Sequence, residues 1–238
     1  MVSRRLRCPI GSGTALFGCA LVMATAVLGG CTRAVDGSAH APARDAGPAE
    51  PIPLSDLLIE PQRFPAQYPA VVLDPMSVGQ TIRDIDGVEA RAVVTPPLCA
   101  PRPPGASPRD AVAVQGIDTA TANSLTVALT RAATTLTARR DRLSACPSFT
   151  TTAGERSATV TATLLPVPPV DAEDSLAVDQ TVSTTGETLR SLTLVAQVAD
   201  VQVTAVWMTA SADAPPDTAA LDALFTDALL KVRRGGQP

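Results

Sequence analysis

The stretch LTLVAQVADVQVTAVW, residues 192–207, decides the fold class. Leu192, Leu194, Ala196 and Val198 alternate with Thr193 and Gln197; beyond Ala199-Asp200 the same rhythm resumes, with Val201, Val203, Ala205 and Trp207 set against Gln202 and Thr204. A period of two sends alternate side chains to opposite sides of a pleated strand, so each half predicts a strand with one apolar face. Only Ala199-Asp200 separates them, which predicts a tight antiparallel hairpin.

The pattern extends towards the N-terminus. Thr185-Gly186-Glu187 reads as another turn, Leu176 to Ser183 as the strand before it, and Val160, Ala162 and Leu164 alternate with Thr159, Thr161 and Thr163. Pro166, Pro168 and Pro169 break the first connection into a surface loop. Together these strands predict one half-buried antiparallel sheet. Trp207 falls in the inward phase and reads as core rather than as a ligand contact.

Downstream the period changes to that of a helix. Pro215-Pro216 stops the last strand and Asp217 is placed to cap; Leu221, Leu224, Phe225, Ala228 and Val232 share one face. Arg233 and Arg234 sit at the negative end of the helix dipole and Gly235 terminates. Strands followed by an amphipathic helix predict an α+β domain, an antiparallel β-sheet with the C-terminal helix packed on one face.

The first part of the domain is read more coarsely. Ser55-Asp56-Leu57-Leu58 predicts a helical turn capped by Ser55, and the residues from Phe64 to Tyr68 a loop constrained by Pro61, Pro65 and Pro69. Val71-Val72-Leu73 is a short strand, Asp84 to Gly87 a turn, and Val88 to Val94 a second strand. Pro96-Pro97-Leu98-Cys99-Ala100-Pro101 is a proline-rich loop that continues through residues 101–110. Leu125, Val127 and Leu129 alternate with threonine and alanine, favouring a strand, and residues 134–144 favour a short helix leading to Cys146. That helix carries Arg139, Arg140 and Arg142, which read as a solvated face paired with Asp141 or, alternatively, as a phosphate-binding cluster.

At the N-terminus, Arg4, Arg5 and Arg7 precede an apolar run from Ala15 to Leu28, which ends in Leu28-Gly29-Gly30-Cys31. A positive segment, a short apolar segment and small residues before a cysteine make a lipoprotein signal, so residues 1–30 are expected to be removed and Cys31 acylated, with palmitate-type chains. Ser3-Arg4-Arg5-Leu6 leaves both Sec and twin-arginine export open. Residues 31–53 then form a lipidated stalk, poor in large apolar groups and containing the single histidine, His40; residues 54–234 form one globular domain. The expected location is the outer face of the cytoplasmic membrane.

Cysteine accounting follows from that cleavage. Cys8 and Cys19 leave with the signal and Cys31 takes lipid, so Cys99 and Cys146 remain as a pair in an oxidising compartment and predict a disulfide. A thiol-redox site is the rival reading, but the chain has no C-x-x-C. Losing Arg4, Arg5 and Arg7 from the 19 basic residues leaves 16 against 23 acidic ones, a balance that argues against nucleic-acid binding.

Catalytic options are few. With His40 in the stalk and both domain cysteines paired, no Ser-His-Asp or Cys-His unit can form, and no G-x-S-x-G, H-E-x-x-H or phosphate loop occurs. Carboxylates remain, and Asp171, Glu173 and Asp174 cluster between two strands, either as a soluble loop or as a cation or glycosidase site. No catalytic, cofactor-binding or metal residue is assigned.

Leu57-Leu58, Phe64-Pro65 and Tyr68, then Pro97-Leu98-Cys99 and Ala145-Cys146-Pro147, then the helix from Leu221 to Arg233, follow one another in an order that resembles a family of mycobacterial envelope lipoproteins of unknown function. The order is more distantly similar to the extracellular sensor domain of H-type mycobacterial receptor kinases. The resemblance implies an envelope-exposed domain with a cleft that binds a ligand or partner without catalysis. Those sensor domains carry two disulfides, where this chain has the cysteines for one. The expected function is therefore a non-catalytic, sensor-like domain taking a small molecule, lipid or envelope protein. The alternatives are a lipid or glycolipid carrier with an apolar cavity and a carboxylate-dependent hydrolase. A deep apolar cavity points to the carrier, a polar groove to the binding module, and convergent buried carboxylates to the enzyme.

Overall fold

In a computed structural model, which describes residues 51–102, 110–131, 134–167, 169–211 and 214–235, the alternating segments build one nine-stranded sheet. The lipobox with Cys31, the leader 1–30, the stalk up to residue 50 and residues 103–109 of the proline-rich loop lie outside the described residues. In chain order the elements are α1 (Leu54–Leu57), β1 (Ala70–Val72), α2 (Pro75–Asp86), β2 (Val93–Thr95), β3 (Ala111–Ile117), β4 (Ser124–Arg131), α3 (Leu136–Ala145), β5 (Ser148–Ala153), β6 (Arg156–Leu165), β7 (Asp174–Ser183), β8 (Thr188–Val198), β9 (Val201–Thr209) and α4 (Thr218–Gly235). Short 3-10 turns occupy Pro61–Arg63 and Pro97–Cys99.

Strand order across the sheet is β1-β3-β4-β9-β8-β7-β6-β5-β2, and every pairing is antiparallel. The β8–β9 hairpin turns at Ala199-Asp200, with Val198 opposite Val201 as its sequence predicts. Strand β9 then pairs with β4, Leu125 opposite Trp207 and Leu129 opposite Val203, so the later meander joins the earlier strands into one sheet.

One sheet face is apolar throughout its centre. Val127, Leu129, Val203, Ala205 and Trp207 are wholly buried there, beneath Leu221, Leu224, Phe225 and Ala228 of α4. Asp217 caps α4 by accepting from the Ala220 N–H at 3.1 Å, as its position before the apolar stripe predicts. The segment around α1 closes the same core with Leu54, Leu57, Phe64 and Tyr68. It is fastened to α4 by Lys231, which donates to the Leu58 carbonyl and to Glu60, and by the Arg63–Asp227 ion pair. Gly116 permits this closure: a Cβ there would lie 2.6 Å from the Tyr68 carbonyl oxygen.

The other face differs from the sequence expectation of a half-buried sheet. Two helices cover it, α2 on β3 and β4 through Val78 and Ile82, and α3 on β6 to β8 through Leu136 and Leu143. Threonines that read as solvent-facing, among them Thr126, Thr193 and Thr204, are consequently buried.

Residues 84–94 are the main correction. Instead of a turn followed by a long strand, residues 75–86 are helical and only Val93–Thr95 is a strand. The helix has its own signals: Asp74 accepts from the Met76 and Ser77 N–H groups, Pro75 occupies the first turn, and Gly87 ends it at φ +70°, a conformation open to glycine. Ser55 is not a cap. It lies within α1, where its hydroxyl donates to Asp56, and Pro53 occupies the capping position. Strands β3 and β5 also lie in segments for which the sequence reading offered no strand.

Candidate binding site

The two helices on the polar face touch through Arg139 and Asp86, and between them lies a cleft of about 330 Å³. Its floor is the C-terminal half of β4 and the N-terminal half of β9, where Ala128 pairs with Thr204 and Thr130 with Gln202. Small and polar side chains keep this part of the sheet low while the hydrophobic clusters to either side carry the helices. Ile82, Ile85 and Asp86 of α2 form one wall, and Ala138, Arg139 and Arg142 of α3 the other. The segment after the 3-10 turn contributes Leu98, Ala100 and Arg102, and Arg131 stands at the end of β4.

Helix periodicity sorts the three arginines of α3. Thr135 starts the helix by accepting from the Ala138 N–H, and Leu136 and Leu143 seat it on the sheet. Arg139 and Arg142, three residues apart, then share the flank towards α2, whereas Arg140 turns the other way. None of them uses the expected partner Asp141. Arg140 binds Asp174 at 2.6 Å and donates to the Ser175 carbonyl at 2.8 Å; Arg139 reaches Asp86 at 3.3 Å; Arg142 donates to the Cys99 carbonyl at 3.3 Å. Burial pushes the Arg142 guanidinium below its ordinary value and neighbouring Arg139 adds to that, while Asp86 works against both. The Arg139 Nε–H is buried with no acceptor.

Cys99 and Cys146 are joined, as the sequence predicts, and both are buried against Val94, Phe149 and Val160. The bridge ties the segment before Arg102 to the C-terminal end of α3, so two parts of the cleft rim share one covalent anchor. The buried Gln180 donates to the Ile85 carbonyl at 3.1 Å and holds the end of α2 to β7.

The acidic cluster is consumed by structure. Asp174 is held by Arg140, Glu173 accepts from the Ala199 N–H at 3.0 Å, and Asp171 pairs with Arg233 of α4. Among the described residues no group of three or more His, Cys, Asp or Glu could hold a metal ion, and no helix is long and apolar enough to cross a membrane. His40 lies outside the described residues.

Several carboxylates sit below their ordinary values in the folded state. Asp174 is lowered first by Arg140, Glu60 by Lys231, Asp74 by the Ser77 hydroxyl and its cap N–H groups, and Asp118 by Thr121 and the Ala120 N–H. Asp84 moves the other way, raised by desolvation. A depressed folded value stabilises above the unfolded pKa and loses that contribution as pH falls. Melting temperature should therefore hold from neutral pH to just above the unfolded carboxylate range, about 4, and drop as acid is added below it. Circular-dichroism melts across that range check this, and Asp174→Asn should show a shallower drop.

No protein-family model matches the chain, and no curated protein matches it. Among solved structures it is similar to an uncharacterized protein from Mycobacterium smegmatis, the Rv0999 ortholog, at 16% identity and a TM-score of 0.40, over 70% of this chain and 86% of that one.

Proposed function

We propose that this chain is a cell-envelope lipoprotein, anchored through acyl chains on Cys31 at the outer face of the cytoplasmic membrane, whose domain binds a small ligand in the α2–α3 cleft without transforming it. The observation that carries the reading is the cleft itself, a concave site with donor-rich walls on a rigid sheet floor. An apolar carrier is less favoured because Trp207, Leu221, Leu224 and Phe225 fill the space between α4 and the sheet, where an acyl chain would have to go. The resemblance to mycobacterial envelope lipoproteins agrees with this assignment. The stalk composition suits a spacer between anchor and domain.

Native mass spectrometry of the full chain from its own membrane tests it. The expected result is an acylated N-terminus at Cys31 and a retained small molecule, which Ala138→Trp, filling the cleft from the α3 wall, displaces. A molecule retained equally by Ala138→Trp places the site elsewhere and overturns the reading.

A further inference from the structure

The charge of the cleft runs against that of the chain. The whole sequence is acidic, with a net charge of −4, yet the described lining of this cleft holds four arginines and one carboxylate, Asp86. Arg131 is paired outside it, with Asp200 at 2.6 Å. Asp86 makes one long contact, to Arg139, and Arg142 has a neutral carbonyl for its partner, so among the described lining residues Asp86 is the one carboxylate set against Arg102, Arg139 and Arg142. A guanidinium offers five N–H donors, and on Arg139 the Nε–H is buried with no acceptor. Buried cationic donors without an acceptor are costly, and an oxyanion entering the cleft would relieve that cost.

We propose that the cleft binds a small molecule through a phosphate group, held by Arg139 and Arg142 from α3 and by Arg102 from the disulfide-tied segment. This deepens the binding reading above and rests on it. A phosphate presents several oxygens to several guanidinium forks at once, whereas a carboxylate is satisfied by one. Thr130, Thr204 and Gln202 on the floor add neutral hydrogen-bonding groups for the remainder of the ligand, and Ile82, Ile85 and Leu98 add an apolar wall. The open cleft, of about 330 Å³, suits a phosphate ester of sugar or glycerol size and is too small for a nucleic acid. Two sources, a soluble phosphate ester and a phospholipid head group, present the same chemistry.

The test uses the full chain in phosphatidylcholine nanodiscs, titrated calorimetrically with inorganic phosphate, glycerol 3-phosphate, dihexanoyl phosphatidic acid and, as the neutral control, glycerol. Phosphate-bearing probes should bind and glycerol should not. Arg139→Gln and Arg142→Gln should each weaken binding at least tenfold, and Arg102→Gln, on an exposed segment that leaves the core intact, severalfold. Arg140→Gln removes the same charge from the same helix but outside the cleft, and should bind like the unaltered chain. Tighter binding of glycerol 3-phosphate assigns the soluble source, tighter binding of the phosphatidic acid the lipid source. Equal weakening by Arg140→Gln and Arg139→Gln reveals unspecific charge attraction and overturns the proposal. So does failure of all three phosphate probes while a molecule displaced by Ala138→Trp is retained; in that case the binding reading survives and only the ligand class falls.

Discussion

Trp207→Ala should lower the thermal midpoint of this domain by about 6 to 20 °C, the shift that a loss of roughly 3 to 5 kcal/mol produces in a domain of this size. Trp207 is wholly buried on β9, with Leu125 of β4 and Leu192 of β8 directly across from it, under the apolar stripe of α4. It therefore fills the junction where the two halves of the sheet and the C-terminal helix meet. Removing the indole leaves a cavity between rigid layers, and a sheet paired on both sides of the strand has little freedom to collapse into it. Phenylalanine keeps most of the volume, so Trp207→Phe should cost clearly less. The chain has a single tryptophan, so melts of the variants are followed by circular dichroism. A midpoint unchanged in Trp207→Ala would contradict the packing described here.

Breaking the bridge, by reduction or by the paired change Cys99→Ser and Cys146→Ser, should cost about 4 kcal/mol in the chain-entropy account of a loop of this length. The sequence separation is 47 residues, and the midpoint should fall by about 8 to 16 °C. The effect reaches the site, because the bridge anchors the segment carrying the Cys99 carbonyl and Arg102 to the end of the helix carrying Arg139 and Arg142. Reduced protein, at a temperature where it is still folded, should bind phosphate-bearing probes more weakly than oxidised protein. Two titratable thiols in the native, unreduced chain would contradict the bridge.

Legibility followed the physics of each segment. Strands β8 and β9 and helix α4 could be read because their apolar residues meet a large core, which imposes a clean period of two or 3.6 over many residues. Helix α2 is poorly legible although Asp74, Pro75 and Gly87 mark both its ends. Its buried stripe is thin, with Val78 and Ile85 buried and Ile82 partly so, while polar side chains fill most of the rest. Once α2 goes unread, nothing covers the far face, and Thr126, Thr193 and Thr204 read as solvent-facing. The cleft arginines show the same limit. Three arginines in four positions announce a basic helix, but their division between Asp174 on one flank and the cleft on the other depends on how α3 is rotated against the sheet. The acidic residues 171–174 are the converse case: they look like a cluster in sequence and are separated into three structural contacts by α3, α4 and the β8–β9 turn.

By itself the sequence determined the class of the domain, the Cys99–Cys146 pair and the faces of α4, because these depend on local periodicity and on cysteine number, which a chain carries before it folds. Only the tertiary structure decided that β9 returns to β4, that two helices occupy the polar face, and that Arg102, Arg139 and Arg142 come together between them. Those facts depend on contacts between residues far apart in the chain, and no local pattern specifies which distant side chains a folded sheet will bring into one cleft.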